Sequence, residues 1–324
     1  MSILLLLDMT VQSSATLFRR RAFPAWTWGA AGVLAFSLSF PATKAALPAF
    51  GSVITGLGRA VIAAVLAGAA LLVVRAPLPS PSQWRRLVVV SLGVVIGFPL
   101  LSAIALQHVG AAHAAVMAGL MPAATAIAAV VRGGERPSRG FWLAAGAGLA
   151  AVLVFAAVRG AGRPTWADLL LLAAIALVGV GYAEGGALSR TMPGWQVISW
   201  AIVIAVPVLL PLSAYSLLTD PPQQPGVSAW LGLAYVSTFS MFVGFVWWYR
   251  GLAMGGVARI GQLQLAQPVL TLGWAALLLG EHVDLVTGVA ALAVLAATGI
   301  TQRARAPVLV EQDRAAELVD QAAR

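Results

Sequence analysis

The sequence predicts an all-α membrane protein with ten transmembrane helices in two inverted five-helix repeats. Its composition is the first of three observations behind this prediction. Hydrophobic residues make up 60% of the 324 residues, charged residues make up only 10%, and the mean hydropathy is +0.91. A soluble domain carries roughly 25% charged residues. The other two observations are that the apolar residues form ten stretches of spanning length, and that the second five stretches repeat the pattern of the first five.

The ten helices follow from the lengths of the apolar stretches. A helix needs about 20 apolar residues to cross about 30 Å of hydrocarbon, where its backbone must satisfy its own hydrogen bonds. Clusters of Pro and Gly separate successive stretches and predict the turns. Only short loops remain, so no separate soluble domain fits. The predicted spans are 26–46, 52–74, 84–106, 109–131, 140–158, 166–188, 196–218, 228–250, 257–279 and 284–302.

The charge of the loops predicts the orientation of the spans, because cytoplasmic loops carry an excess of Lys and Arg. With a cytoplasmic N-terminus, the outer loops hold only Arg159 and Arg163. The inner segments then hold Arg19, Arg20, Arg21, Arg75, Arg85, Arg86, Arg132, Arg136, Arg139, Arg190, Arg250, Arg259, Arg303 and Arg305. We therefore expect a multi-pass protein of the bacterial inner (plasma) membrane with both termini in the cytoplasm. Interfacial anchoring is expected for Trp26, Trp28, Trp84, Trp166, Trp195 and Trp230, which lie near span ends.

Composition also excludes several classes of function. The basic excess, 20 Lys and Arg against 11 Asp and Glu, lies in loops beside anionic headgroups, so no nucleic-acid partner is predicted. There is no Cys, which excludes disulfides and Cys-ligated metals. Three His and one carboxylate at membrane depth do not supply a metal cluster or a paired-carboxylate catalytic site. There is no Walker A sequence for ATP binding. The sequence therefore predicts no enzyme, no metal and no cofactor.

A gapless internal repeat relates the two halves. Residues 106–135 and 252–281 align at a constant offset of 146, which pairs Pro122 with Pro268, and Gly110 with Gly256. Five spans in each half is an odd number, so the halves enter the membrane from opposite sides. Inverted repeats are typical of secondary transporters, whose substrate site lies near the midplane between the halves. The expected units are a tail at 1–25, repeats at 26–158 and 166–302, and a tail at 303–324.

The ordered motifs resemble the EamA-type branch of the drug/metabolite transporter superfamily over roughly residues 26–302. The first span contains FSLSFPATKAAL (36–47) with a late Lys, the second has Arg59 in GLGRAVIAAVLAG, and spans four and nine share the Pro and Gly-Glu pattern. Phe36 departs from many members, which have a Trp near this position. The resemblance implies secondary transport, often export, of amino acids, other metabolites or drugs. It also implies a central cavity lined mainly by spans one, three, four, six, eight and nine.

Two positive charges at membrane depth are candidates for substrate binding, because a charge inside the bilayer is costly. Arg59 lies roughly 10 Å from the outer face by helical rise, and could bind a substrate carboxylate or pair with backbone carbonyls. Lys44, near the outer end of span one, could meet an anionic substrate, act as an extracellular gate or extend to the headgroups. Pro41 predicts a bend beside Ser39, which would either free backbone carbonyls for substrate or only fit the helix to its bundle.

Neutral polar and aromatic side chains are the second group of candidates for substrate binding. Gln264 and Gln267 are three residues apart on one helix face, and could orient a zwitterion or hydrogen-bond to a neighbouring helix. Ser240 belongs to the small-residue face of span eight, which suits a cavity or close packing. Trp248 continues this stripe and could stack on an aromatic substrate or anchor the span at the interface. Tyr182 could donate a hydrogen bond to substrate or be an interfacial Tyr of the common kind.

Four titratable residues have other predicted roles. Glu184 could carry a coupling proton or pair with Arg190, six residues along the chain. His113 could also take a coupling proton, since imidazole titrates near neutral pH, or it could be a structural hydrogen-bonding group. Glu135 and Glu281 directly follow Gly at helix ends, so they are interpreted as turn and capping elements that hold helix orientation.

The function predicted from these features is secondary transport by alternating access, with a small-molecule substrate inside a lipid bilayer. Export of amino acids or similar small carboxylated metabolites is the first hypothesis. Efflux of hydrophobic or cationic drugs is the alternative, and a non-transporting membrane receptor or assembly protein is an alternative of another class. The inverted repeat argues against the last. Small-residue faces such as Gly146 and Gly148 could mediate a homodimer or pack within one chain.

Overall fold

The computed structural model describes residues 24–133, 138–160, 163–255, 260–301 and 303, and every regular element in these ranges is helical. Seven of these helices are long and apolar enough to cross a membrane, and two apolar helices are shorter. The first, Ala25–Val73, has 49 residues, or about 74 Å of helical rise, which is too long for one crossing. It turns back at Gly51, whose φ of 67° is outside the helical region. The described residues therefore contain ten apolar spans, at the predicted places.

The helices are numbered in chain order, and each span is built from one or two of them. Their bounds are α1 Ala25–Ser37, α2 Ser39–Val53, α3 Arg59–Val73, α4 Pro81–Val90, α5 Phe98–Leu106, α6 Ala111–Ala118, α7 Met121–Gly133, α8 Arg139–Arg159, α9 Trp166–Leu188, α10 Gly194–Thr219, α11 Val227–Tyr235, α12 Gly244–Gly255, α13 Gln267–Leu279 and α14 Leu285–Thr301. Span 1 is α1 with α2, span 2 is α3, span 3 is α4 with α5, and span 4 is α6 with α7. Spans 5, 6 and 7 are α8, α9 and α10, span 8 is α11 with α12, and spans 9 and 10 are α13 and α14.

The side of the bundle that carries Pro24 and Thr301 is called the terminal face, and the other side the opposite face. The turn at Gly51 lies on the opposite face. The predicted tails at 1–25 and 303–324 fall almost wholly outside the described residues. Trp26, Trp166 and Trp230 are more than half exposed at span ends, as interfacial anchors require. The same prediction is wrong for Trp195, which is buried in the bundle.

Pro41 explains a break near the middle of span 1. Proline has no backbone N–H and clashes with the preceding turn. The helix is interrupted at Leu38, and the carbonyl of Ser37, which Pro41 cannot bond, accepts a 2.8 Å hydrogen bond from the Thr271 hydroxyl of span 9. The predicted bend therefore exists. Its freed carbonyl is held by a neighbouring helix, however, and is not open to substrate.

Two π-helical segments occupy matching positions in the two repeats. Ser91–Gly97 lies in span 3 and Val236–Val243 lies in span 8. The offset of 146 pairs Ser91 with Ser237 and also pairs Trp84 with Trp230, so the gapless repeat extends to the start of both spans. π-Helical turns are rare and frequent at functional sites. Their recurrence at one register of the repeat indicates a shared structural role beside the cavity described below.

The packing of the spans follows the same two-fold relation. Span 1 packs most extensively on span 8, and span 6 packs on span 3, which is the equivalent pair with the repeats exchanged. Glycines allow both approaches: a Cβ added at Gly251 would lie 2.6 Å from the backbone N of Gly29, and one added at Gly93 would lie 3.2 Å from the Cα of Gly181. Small residues of this kind let membrane helices pack closely. These two pairs enclose the centre of the bundle.

The small residues of span 5 pack partly within the chain. A Cβ at Gly148 would lie 3.3 Å from side-chain carbons of Leu120 and Ala297, so this glycine contacts spans 4 and 10. Gly146 has no neighbour within 4 Å of such a Cβ and faces outward. Only the Gly146 side of this face is free for a contact with a second copy.

Candidate functional site

A central cavity lies where the two repeats meet. Its volume is about 30 Å³, room for about two water molecules. Span 2 contributes Arg59, and the other lining spans are 1, 3, 4, 6, 8 and 9, the set that the resemblance implies. The lining residues are Phe36, Ser39, Phe40, Arg59, Val94, Phe98, Met121, Val178, Tyr182, Ser240, Met241, Phe245 and Gln267.

Five predicted substrate-binding residues lie together in this cavity. They are Ser39, Arg59, Tyr182, Ser240 and Gln267. The Ser39 and Ser240 hydroxyl groups are 2.7 Å apart and hydrogen-bonded, which joins span 1 of the first repeat to span 8 of the second. The residues therefore converge from distant parts of the sequence, and the lining is mostly apolar with a few polar groups, as in small-molecule sites generally.

The repeat places equivalent residues on the cavity wall. The offset of 146 pairs Val94 with Ser240 and Met121 with Gln267, and all four line the cavity. In each pair the first repeat supplies an apolar side chain and the second supplies a polar one. At these two pairs of positions the site is thus symmetric in position and asymmetric in polarity.

Arg59 is the charged group of the cavity. It follows the π-helical segment Ile54–Gly58 directly, and it is only 4% exposed. Its Nε has no hydrogen-bond partner, and no Asp or Glu among the described residues forms an ion pair with it. A buried guanidinium without a counter-charge is costly, and a bidentate carboxylate is its best complement. The cavity therefore favours an anionic group beside Arg59.

Aromatic rings close the remaining walls. The Phe36 and Phe245 ring centroids are 4.8 Å apart, and Tyr182 meets Phe245 edge-on at 5.9 Å. Phe40 and Phe98 form a further pair at 6.0 Å. These rings surround the cavity beside the guanidinium with apolar surface, and such surroundings strengthen any charge interaction made there.

Span 9 begins with a 3₁₀ segment, Gly261–Ala266, where the sequence predicts α-helix. Residues three apart eclipse one another in a 3₁₀ helix, so Gln264 and Gln267 still share a direction. Both are buried, and Gln264 Nε2 and Gln267 Oε1 lack hydrogen-bond partners. Only Gln267 lines the cavity. Gln264 lies on the same segment with a free donor, outside the set of lining residues.

Two other predicted binding residues lie away from the cavity. Trp248 is 3% exposed and packs edge-on against Phe36, with ring centroids 6.4 Å apart, and against Gly32. The interpretation of Trp248 as an interfacial anchor is therefore wrong. Lys44 lies toward the opposite face, where its Nζ donates to the carbonyls of Leu106 at 2.5 Å and Val109 at 2.9 Å.

Glu184 lies toward the terminal face, two residues beyond Tyr182 of the cavity wall. The prediction that it pairs with Arg190 is wrong. Its Oε2 accepts a 2.7 Å hydrogen bond from Arg86 Nε, and its Oε1 pairs with Arg132. Glu184 belongs to the second repeat and both arginines to the first. This cluster thus ties the repeats together on the terminal side of the cavity.

His113 lies toward the opposite face, and its partner, Asp168, was not predicted from the sequence. Its Nε2 is 2.6 Å from Oδ1 of Asp168, which is 1% exposed. Thr165 donates its backbone N–H and its hydroxyl to the other oxygen of Asp168, both at 2.7 Å. The pattern Thr165-x-x-Asp168 is a capping-box signal at the start of span 6, and it could have revealed this carboxylate.

Glu281 bridges the repeats at the opposite face. Its Oε1 and Oε2 accept 2.8 Å hydrogen bonds from the backbone N–H groups of Ala111 and Ala112, at the start of span 4. These are orphan donors at a helix N-terminus, where a negative charge is also favourable. Its repeat counterpart Glu135 lies outside the described residues. In the described part of the chain, no group of three or more metal-ligating side chains comes together.

Comparisons with known proteins bear on both repeats. The sequence model of the EamA-like transporter family matches residues 24–157 and 165–302. The chain is 51% identical over 258 residues to a Bacillus subtilis (strain 168) protein named "Uncharacterized transporter YdeK", an alignment that covers 80% of this chain and 90% of that protein. A solved crystal structure matches with a TM-score of 0.59 at 20% identity, over 85% of this chain and 95% of the other. This last likeness shows the fold.

Proposed function

Because this chain belongs to the EamA-like transporter family of membrane transporters, we propose that it carries small carboxylated metabolites, amino acids first among them. The observation that carries this proposal is Arg59, a buried cation without a counter-charge on the wall of the central cavity. A substrate carboxylate supplies the missing negative charge, with two parallel hydrogen bonds in the best geometry.

The neutral polar groups of the cavity orient the rest of the substrate. Gln267 has a free side-chain oxygen and accepts a hydrogen bond from a substrate ammonium group. Tyr182 and the Ser39–Ser240 pair supply hydroxyl groups around it. Neutral groups recognise a zwitterion without burying further charge, which keeps the desolvation cost low.

The mechanism we propose is alternating access around this cavity. A volume of about 30 Å³ is far below the roughly 300 Å³ of a small-ligand pocket, so the observed state is closed around the site. Loading a metabolite requires spans 1 and 8 to separate from spans 3 and 6 on one face. The Glu184 cluster holds the terminal side closed, and its opening admits substrate from that side.

We propose that the protein exports its substrate and that transport is coupled to a proton. Export from the cytoplasm across a bacterial inner membrane corresponds to loading at the terminal face, with both termini in the cytoplasm, which the Arg-rich terminal loops favour. His113 and Glu184 are the candidates for a coupling proton. Each contacts the other repeat: Glu184 pairs with Arg86 and Arg132, and His113 is hydrogen-bonded to Asp168. A change in protonation therefore alters a contact that alternating access must break.

Efflux of hydrophobic drugs is the second candidate function. The aromatic lining formed by Phe36, Phe40, Phe98 and Phe245 favours it. Arg59 opposes the cationic members of this class, because a second positive charge beside an unpaired guanidinium is repelled. A neutral aromatic compound meets no such penalty.

The experiment that tests the proposal is counterflow in proteoliposomes of the purified protein. A labelled panel of alanine, leucine, phenylalanine, glutamate and lysine is offered with and without a pH gradient. Saturable exchange of one or more amino acids is the expected result, and a rate that changes with the gradient identifies proton coupling. No exchange by folded protein, together with uptake of neutral aromatic compounds, would replace the amino-acid proposal with drug efflux.

A further inference from the structure

We infer that a second pocket, on the opposite face, is a vestibule that binds the zwitterionic head group of an amino acid on the path to or from the central cavity. This inference rests on the proposed function and narrows its substrate class. The pocket has a volume of about 360 Å³, within the range of small-molecule sites. Its lining residues are Lys44, Leu47, Pro48, Ala49, Gly51, Leu106, Gln107, Asp220, Pro221 and Gln223.

The vestibule carries one group of each charge. Lys44 uses two of its three donors on the carbonyls of Leu106 and Val109, so the ammonium is fixed in place with one donor left. Asp220 lines the same pocket, and it forms no ion pair with any described residue. The two charges do not neutralise each other in a salt bridge. They are therefore available to opposite ends of a zwitterion.

The loop that presents Asp220 is held against the turn between spans 1 and 2. The backbone N–H of Gln223 donates a 2.9 Å hydrogen bond to the carbonyl of Ala49, and the Gln223 side chain donates to Pro221 at 2.9 Å. Gly51 leaves room beside the carboxylate, since a Cβ there would lie 3.5 Å from Oδ2 of Asp220. The pocket wall is thus assembled before any ligand arrives, which lowers the entropy cost of binding.

The vestibule lies in line with the central cavity. Lys44 is one helical turn beyond Phe40 on span 1, about 6 Å by helical rise, and Leu106 is two turns beyond Phe98 on span 3. The Phe40–Phe98 ring pair forms the boundary between the two sites. A molecule that crosses this pair moves from Lys44 to Arg59. Its carboxylate therefore contacts a cation both in the vestibule and in the central cavity.

The charge pattern makes a specific chemical prediction. A substrate carboxylate pairs with Lys44, and a substrate ammonium group pairs with Asp220. A deaminated analogue retains the first contact and lacks the second. The vestibule therefore distinguishes an amino acid from the corresponding simple acid, and Asp220 carries the distinction.

The test compares Asp220→Asn with wild type and with Asp284→Asn in orientation-sorted proteoliposomes. Asp284 is a matched control on the same face, outside the vestibule. Hydrogen bonds from the Thr287 backbone and hydroxyl and from Arg159 lower the pKa of Asp284 to about 2, so it is ionised at neutral pH. The probes are the panel amino acid with the fastest counterflow and its deaminated acid. We expect Asp220→Asn to raise KM for the amino acid at the opposite face by about threefold, in line with a solvent-exposed charge pair.

Other results with these variants would overturn the vestibule, overturn the proposed function as well, or support the charge contact. The same rise in KM for the deaminated acid, or with Asp284→Asn, would show a general surface-charge effect and overturn the vestibule. An unchanged KM with Asp220→Asn, while Arg59→Gln abolishes exchange, would overturn the vestibule and leave the proposed function standing. Exchange of no amino acid by wild type would overturn both. Recovery of the normal KM by Asp220→Glu would support a charge contact over a structural role of the loop.

Discussion

The hydroxyl groups of Ser39 and Ser240 lie 2.7 Å apart inside the central cavity, and they belong to different repeats. This hydrogen bond joins spans 1 and 8, the helix pair that is proposed to separate from spans 3 and 6 when the cavity opens. Its repeat counterpart does not exist, because Val94 stands at the position equivalent to Ser240. This polar contact therefore exists in only one of the two equivalent helix pairs, the pair of spans 1 and 8.

A double-mutant cycle measures this contact. Ser39→Ala and Ser240→Ala each remove one hydroxyl group, and the double variant removes both. We expect each single change to lower the free energy of unfolding by about 1 kcal/mol and the double change to cost less than the sum, because the two groups share one bond. Thermal unfolding in detergent gives these values. Strict additivity would show that the bond does not contribute to stability.

The ion-pair cluster at the terminal face is expected to control opening on that side. Glu184→Gln removes both charge contacts between the repeats while keeping the side-chain volume. We expect a loss of roughly 1–3 kcal/mol in unfolding free energy, reduced from the fully buried case because Arg86 and Arg132 are partly exposed. We also expect a larger population open toward the terminal face.

Cysteine accessibility reports this opening directly. The chain has no native Cys, so a single Cys in place of Met121 on the cavity wall is an unambiguous reporter. Faster modification by a membrane-impermeant thiol reagent from the terminal face is expected with Glu184→Gln. The Asp284→Asn control breaks an exposed pair with Arg159 on the other face and leaves this rate unchanged. Equal rates in wild type and Glu184→Gln would show that the cluster is not a gate.

The pair formed by His113 and Asp168 yields a prediction about coupling. It joins span 4 to span 6 across the repeats, and Glu281, Arg159 and His108 are the charged or titratable groups near these helix ends. If His113 takes the coupling proton, His113→Gln transports at a rate that no longer depends on a pH gradient. Counterflow with and without the gradient measures this. A gradient dependence that persists in His113→Gln, and disappears in Glu184→Gln, would assign the proton to Glu184.

The contacts of Glu281 predict a moderate effect on stability. Glu281→Gln keeps one acceptor for the N–H groups of Ala111 and Ala112 and loses the charge at the helix N-terminus. We expect a cost of about 1 kcal/mol, and about 2 kcal/mol for Glu281→Ala, which removes both acceptors. Thermal unfolding measures whether stability falls from wild type to Glu281→Gln and further to Glu281→Ala. Asp284→Asn on the same face is the control. An Ala variant no less stable than the Gln variant would contradict a capping role.

Periodicity and composition predicted most of the fold. Span positions follow from the length of apolar runs, and the inverted repeat follows from an ungapped offset, so both can be read from one sequence. The 3₁₀ start of span 9 could not be predicted, because neighbouring helices override local propensity there. The same holds for the matching π-helical segments of spans 3 and 8.

The sequence predicts several residues of the site from their type, but it does not predict which residues pair with Glu184 and His113. Arg59, Ser240 and Gln267 stand out as polar groups at membrane depth, and they do line the cavity. The partners of Glu184 and His113 belong to the other repeat, far away in the sequence, so no local spacing reveals them. Arg190, the nearest cation to Glu184 in the sequence, is therefore not its partner in the structure.

The most direct test of the central claim is counterflow by Arg59 variants. The comparison uses wild type, Arg59→Gln, Arg59→Lys and the control Arg250→Gln, which removes a cation stacked on Trp28 near the terminal face at 4.5 Å. If Arg59 binds the substrate carboxylate, Arg59→Gln loses amino-acid exchange by about 100-fold or more, Arg59→Lys retains part of it, and Arg250→Gln remains close to wild type. Normal exchange and unchanged KM in a correctly folded Arg59→Gln protein would contradict the account.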